Sequence, residues 1–156
     1  MPTVDLESVF DRLSGLPIRT FGEGECVLPQ GGRTGQLLFL LQGAVDVVKD
    51  GWHIACITKP GAVFGDMAVI LGRPHSADVR AAEPTRCHVI EDAAAALGAE
   101  PLLALYVMTV LASRLDAVNG HLIDARQRLG EDGPHSGFLA ETLEHIGRAM
   151  RIGLPV

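Results

Sequence analysis

The stretch GAVFGDMAVILGRPHSADVRA, residues 61–81, changes texture twice within a short span. Gly61 and Gly65 bracket an apolar pair, and Asp66 to Leu71 can then form one or two helical turns. The first backbone N–H groups of such a turn have no partner inside the helix, and together they can hold an anion. Arg73, His75 and Ser76 follow closely enough to return to that terminus with hydrogen-bond donors, while Asp66 can accept from a sugar hydroxyl. An anion cradle beside a hydroxyl acceptor points to a nucleotide.

Outward from this stretch, residues 20–92 consist of short apolar runs at Leu37 to Leu41, Val45 to Val48, Ile54 to Ile57 and Cys87 to Ile90, separated by Gly, Pro and Asp clusters. That rhythm predicts an antiparallel sandwich or barrel. Lys49-Asp50-Gly51-Trp52 lies between two of the runs, and Asp-Gly supplies the positive φ angles of a tight hairpin turn. The unbroken run Leu37 to Leu41 predicts a strand covered on both faces. Ahead of the strands, Leu6, Val9, Phe10 and Leu13 are spaced for a short amphipathic helix that ends before Gly15 and Pro17.

Beyond Asp92 the period changes. Ala104, Met108, Leu111, Leu115, Val118, Leu122, Ala125 and Leu129 form a heptad seam, and Leu103, Tyr106, Val107 and Val110 add a second apolar face to its first half. One face then docks on the β-domain and the seam over 104–129 meets a second copy of the chain; the alternative is that both faces are buried within one chain. Gly120 weakens the helix by about 1 kcal/mol relative to Ala, and Gly130 is a natural stop. Residues 131–137 read as a loop, and Leu139, Leu143, Ile146 and Met150 as one face of a last short helix. The expected organisation is therefore a unit over 1–130 and a helical extension over 131–156.

The 156 residues fit one core, 47% of them apolar and only 4% aromatic, so an aliphatic interior is expected. Thirteen Lys and Arg against nineteen Asp and Glu give a net charge of -6, which argues against broad nucleic-acid or anionic-membrane binding. Mean hydropathy is +0.25. The most apolar stretch, Pro101 to Ala112, is shorter than the ~20 residues of a membrane span, and the N-terminus carries acids where an export signal carries basic residues. No membrane association and a cytoplasmic location are expected. Cys26, Cys56 and Cys87, odd in number and far apart, suit reduced core thiols.

In its motifs the chain resembles the cyclic-nucleotide-binding domain of the catabolite activator family. Gln30-Gly31, the run Leu38-Phe39-Leu40-Leu41-Gln42-Gly43-Ala44-Val45, Gly61-x-x-Phe64-Gly65-Asp66-x-Ala68 and Arg73-Pro74-His75-Ser76-Ala77-x-Val79 follow that family's order and spacing. The resemblance covers roughly residues 15–125. It implies a mainly β fold with flanking helices: an antiparallel β-roll (jelly-roll, double-stranded β-helix) followed by a long C-terminal dimerisation helix.

It also implies a ligand, cyclic AMP or cyclic GMP, and no resident cofactor or metal. The acidic residue that binds the ribose 2'-hydroxyl, usually Glu, falls at Asp66; the Arg that pairs with the cyclic phosphate falls at His75. Ser76 and the backbone amides at Gly65, Asp66, Met67, Ala68 and Ala77 complete the cradle, Arg73 can stand in for the missing Arg, and Asn119 falls near the base-capping position. Asp66 loses a methylene of reach, and His75 loses the permanently charged fork of Arg. A charge-assisted contact contributes roughly 1.5–3 kcal/mol, so its replacement weakens binding by about one to two decades. A phosphate beside His75 favours the imidazolium, so tighter binding at acid pH is expected.

A transcription factor of this kind continues into a winged helix-turn-helix of about 70 residues. Here 26 residues follow Gly130, and the chain from Arg114 onward carries five Arg against six Asp and Glu. DNA binding by this chain alone is not expected. The six His residues show no HxH or HExxH spacing, and neither a GxSxG turn nor a P-loop occurs, so catalysis is not expected. Two functions stay open: a non-catalytic sensor that reports a cyclic nucleotide to an effector protein through the long helix, or a dimeric interaction module that keeps the fold without the ligand.

Overall fold

The computed structural model describes residues 5–129 together with 137, 141 and 142. Its elements are α1 (Leu6–Ser14), β1 (Ile18–Phe21), β2 (Cys26–Leu28), β3 (Leu37–Gln42), β4 (Val45–Lys49), β5 (Trp52–Ile57), β6 (Val63–Phe64), α2 (Asp66–Leu71), β7 (Asp78–Ala81), β8 (Thr85–Ile90), α3 (Ala93–Ala99) and α4 (Pro101–Leu129). The strands form two four-stranded antiparallel sheets, in the orders β1-β8-β3-β6 and β2-β7-β4-β5. This is the expected antiparallel β-roll with flanking helices. The chain divides into two compact units, one ending at Val110 and one beginning at Leu111. The expected last-helix residues Leu139, Leu143, Ile146 and Met150 lie outside the described residues.

The roll closes around aliphatic side chains. Phe21, Val27, Leu28, Leu38, Leu40, Val45, Phe64, Val79, Ala81, Cys87 and Val89 make one buried cluster drawn from both sheets. Strand alternation splits β3: Leu38 and Leu40 enter this cluster, while Leu37 and Phe39 face the opposite side and are equally inaccessible. Phe39 meets the Tyr106 ring there, with centroids 6.4 Å apart. That strand is therefore covered on both faces, as its unbroken apolar run requires.

The β4–β5 hairpin turns at Asp50 (φ 51°) and Gly51 (φ 81°), the positive pair expected from Asp-Gly. Asp5 caps α1 through the Glu7 N–H, and Val9 and Leu13 form its buried face. Ala93 to Ala99 is helical as α3, capped by Asp92 and followed by Pro101 at the first position of α4, where a missing N–H costs nothing. Leu103, Tyr106 and Val107 are buried, whereas the seam residues Met108, Leu115 and Val118 are each at least half exposed.

One expectation needs correction. Only Cys87 is a core thiol; Cys26 is half-buried and Cys56 exposed, though all three are free. Burial pushes the Cys87 thiol up to about 11, which keeps it protonated. The apolar stretch at Pro101 opens the long helix expected over 104–129. Over Pro101–Arg128 an 18-residue window reaches a mean hydropathy of 1.5, so this helix is long and apolar enough to cross a membrane by length and composition.

A buried hydrogen bond ties the start of α4 to the glycine framework. The Tyr106 hydroxyl donates to the Gly61 carbonyl oxygen at 2.8 Å. Tyr106→Phe removes that donor and strands a buried acceptor, at a cost of about 1–3 kcal/mol. Urea denaturation should show the midpoint falling with an unchanged slope; an unchanged midpoint contradicts this account of the contact.

Candidate functional site

The segment between β6 and β7 folds around two left-handed glycines. Gly65, at φ 87°, ends β6 and starts α2; a Cβ there would run into the Gln36 carbonyl oxygen. Gly72, at φ 61°, ends α2, and the N–H groups of Gly72 and Arg73 both donate to the Ala68 carbonyl. Between these stops the six-residue α2 places Asp66 at its start, 4% exposed, with Met67 exposed and Ala68 half-buried beside it. A buried carboxylate in the first helical turn is stabilised by the amide dipoles there. The N–H groups of that turn have no partner within α2.

His75, read from sequence as a donor toward an anion, is buried in the structure. It is 6% exposed, and its Nε2 lies 2.8 Å from the Thr34 hydroxyl oxygen. Its backbone pairs with the loop before β3: the Gly31 N–H donates to the His75 carbonyl at 2.8 Å, and the His75 N–H donates to Gly32 at 2.9 Å. The loop is fixed from its other side as well. Gln30 donates its backbone N–H to Asp78 at 2.7 Å, and its side chain bonds Asp50 twice, at 2.6 and 3.0 Å. The Gln30 N–H and, less strongly, Arg80 hold the Asp78 carboxyl below the usual range, so it stays ionised.

Ser76 is exposed and Ala77 half-buried on the approach to β7. Arg73 is exposed and sits past the C-terminal end of α2, the opposite end from Asp66. There it lines a crevice of about 280 Å³ with Arg33, Thr34, Gly35, Glu91 and Asp92 among others. Neither Asp66, His75 nor Ser76 lines that crevice. Asn119, half-buried, lies on α4 in the second unit. Thr34 and Gln30 were not singled out as site residues by sequence. The signal was the loop Gln30-Gly31-Gly32-Arg33-Thr34, whose two glycines allow a close approach to residue 75 but do not show what the chain approaches. Among the described residues, no group of three or more His, Cys, Asp or Glu side chains is placed to hold a metal ion.

Two outcomes follow from this geometry. Gly65→Ala forces a left-handed alanine against a carbonyl oxygen and should destabilise the fold by at least ~1–3 kcal/mol in chemical denaturation, an effect absent at the exposed Gly120. Burial lowers the His75 pKa below its ordinary 6.5. The unfolded chain then binds a proton first as pH falls through that value, so the stability gained by keeping the ring neutral is present above it and is lost below it. Melting temperatures measured from pH 7.5 to 5.5 should fall more steeply for the wild type than for His75→Gln; parallel curves contradict the assignment.

Comparison with known proteins agrees with this framework. The solved cyclic nucleotide-binding domain from Methylobacillus flagellatus KT is 24% identical, with a TM-score of 0.67 over 80% of this chain and 76% of that one. The Thermus thermophilus catabolite activator protein matches at 20% identity and TM-score 0.62, over 96% of this chain and 87% of its own. The regulatory subunit of a cAMP-independent protein kinase A from Trypanosoma brucei matches at 24% identity and TM-score 0.53, over 64% of this chain and 35% of its own. At these identities the likeness establishes the fold. The family model described as "Cyclic nucleotide-binding domain" matches residues 18–96, half of the chain, including both sheets and all of the segment from Gly61 to Ala81. The chain belongs to the cyclic nucleotide-binding domain family.

Proposed function

We propose that the chain is a non-catalytic regulatory sensor that binds a cyclic nucleotide, cyclic AMP or cyclic GMP, in the segment from Gly65 to Ala77. The buried Asp66 carboxylate at the start of α2 carries this reading, since a carboxylate is kept out of water only where its surroundings compensate it. In the bound state Asp66 accepts from the ribose 2'-hydroxyl. Backbone N–H groups at Gly65, Asp66, Met67, Ala68 and Ala77, the Ser76 hydroxyl and His75 receive the cyclic phosphate. Arg73 is the weakest member of this set, since it lies at the far end of α2. The base-capping role of Asn119 rests on the family resemblance alone.

The remaining parts of the proposal concern what receives the signal. The exposed seam residues Met108, Leu115 and Val118 make a second copy of the chain the occupant we favour for the 104–129 helix, and movement of that helix is the output read by an effector protein. Three free cysteines suit a reducing, cytoplasmic setting.

One observation favours a second reading. His75 is already buried and bonded to Thr34, which is how a fold that has lost its ligand and serves as a dimeric interaction module would look. Thermal shift separates the two. A sensor gains about 2.7 kcal/mol at a ligand concentration a hundred times its Kd, so melting should rise steadily with cyclic AMP or cyclic GMP. Asp66→Ala should lose most of that rise. A melting curve indifferent to millimolar amounts of either nucleotide overturns the sensor and leaves the module.

A further inference from the structure

His75 stands where a permanently charged Arg is usual in this family, and the structure shows what the replacement is attached to. Its ring makes one hydrogen bond among the described residues, to the Thr34 hydroxyl at 2.8 Å, and takes part in no ion pair. Thr34 cannot drift from this position easily. The loop that carries it is paired with the backbone of residue 75 through Gly31 and Gly32, and is anchored at Gln30 to Asp78 and Asp50.

The single oxygen of a hydroxyl both donates and accepts. Toward a neutral imidazole whose Nε2 carries no proton, Thr34 donates. Toward an imidazolium, whose Nε2–H is a donor, the same oxygen accepts after rotation of its proton. The ring can thus change charge without losing its partner or moving. Nδ1 is the nitrogen left for an incoming anion.

Resting on the nucleotide reading above, we propose that Thr34 is a positioning residue of the site: its hydroxyl holds the His75 ring in both charge states, so that capture of a cyclic phosphate takes up one proton. Burial lowers the ring's pKa and so favours its neutral form. The charged side chains of the cassette and of its anchoring loop do not pair with it. Arg33 adjoins Thr34, where its guanidinium donates to the Gly72 carbonyl at 3.3 Å; Arg73 points to the crevice at the end of α2; Asp78 is held by Gln30 and Arg80, and Asp50 by Gln30; Asp66 is buried at the start of α2. None is paired with the ring. A bound phosphate supplies the counter-charge that these groups do not, and the proton comes from solvent.

The test is isothermal titration of the full chain with cyclic AMP and with cyclic GMP at pH 6 and pH 8, in buffers of different ionisation enthalpy. Wild type should bind about tenfold more tightly at pH 6 and take up a proton on binding, since one linked proton changes affinity by at most about tenfold per pH unit. Thr34→Val should lose the rise between pH 8 and pH 6, Thr34→Ser should keep it, and His75→Arg should bind with the same affinity at both values. Equal wild-type affinity at the two pH values, a rise retained in Thr34→Val, or one lost in Thr34→Ser overturns the assignment while leaving the nucleotide site standing. Failure of the wild type to bind either nucleotide at either pH overturns the nucleotide site itself, and the assignment with it.

Discussion

The turn at Gly65 is the constraint on which the rest of the site depends. The chain must leave β6 and enter α2 beneath the Gln36 carbonyl oxygen, and only a residue without a Cβ passes there at φ 87°. That reversal puts Asp66 at a helix start rather than along a strand, and so allows a carboxylate to be buried to 4% exposure inside an otherwise aliphatic roll. Everything else in the segment is arranged around this placement. Gly72 ends the helix one and a half turns later, and β7 then runs back into the second sheet beside β2 and β4.

The glycine framework was legible because each of its members answers a local backbone demand. Asp50-Gly51 specifies its hairpin without reference to the rest of the fold, and Gly65 precedes a helix too short for hydrophobic periodicity to reveal, whereas the stop at Gly72 is seen only in the structure. The burial of Leu37 to Leu40 was legible for a similar reason: an unbroken apolar run has no face to offer to water. His75 was legible only as a position. Its sequence neighbours, Arg73 and Ser76, suggest a donor turned toward an anion, whereas the partner that draws the ring inward, Thr34, lies forty-one residues earlier on another loop. A contact of that range leaves no spacing signature in a single sequence. Arg73 shows the complementary limit. Closeness in sequence places it near the cassette, but helix geometry carries it to the far end of α2.

The long helix shows where sequence pattern gives a face but not its occupant. Two apolar stripes were expected on the first half of α4, and one of them, through Leu103, Tyr106 and Val107, is buried in the unit that ends at Val110. The Tyr106 hydroxyl joins that stripe to Gly61, at the head of the same segment that turns at Gly65. The other stripe, with Met108, Leu115 and Val118, stays accessible. Its heptad spacing is the reason a second helix is the occupant proposed for it, since a 3.5-residue repeat is what two supercoiled helices require of each other. Hydropathy alone would have read the same helix differently, because its length and composition also suffice to cross a membrane.

The central claim is the proposal that a ring-closed sugar phosphate binds to the segment from Gly65 to Ala77. Backbone amide resonances report it directly, because each N–H that donates to a phosphate oxygen moves, while those of β1, at the opposite edge of its sheet from β6, do not. Addition of cyclic AMP or cyclic GMP should shift the amides of residues 65–68 and 75–77 together, in proportion to occupancy, with those of β1 left in place. An unchanged spectrum, or shifts confined to the crevice beside Arg33 and Arg73, contradicts it.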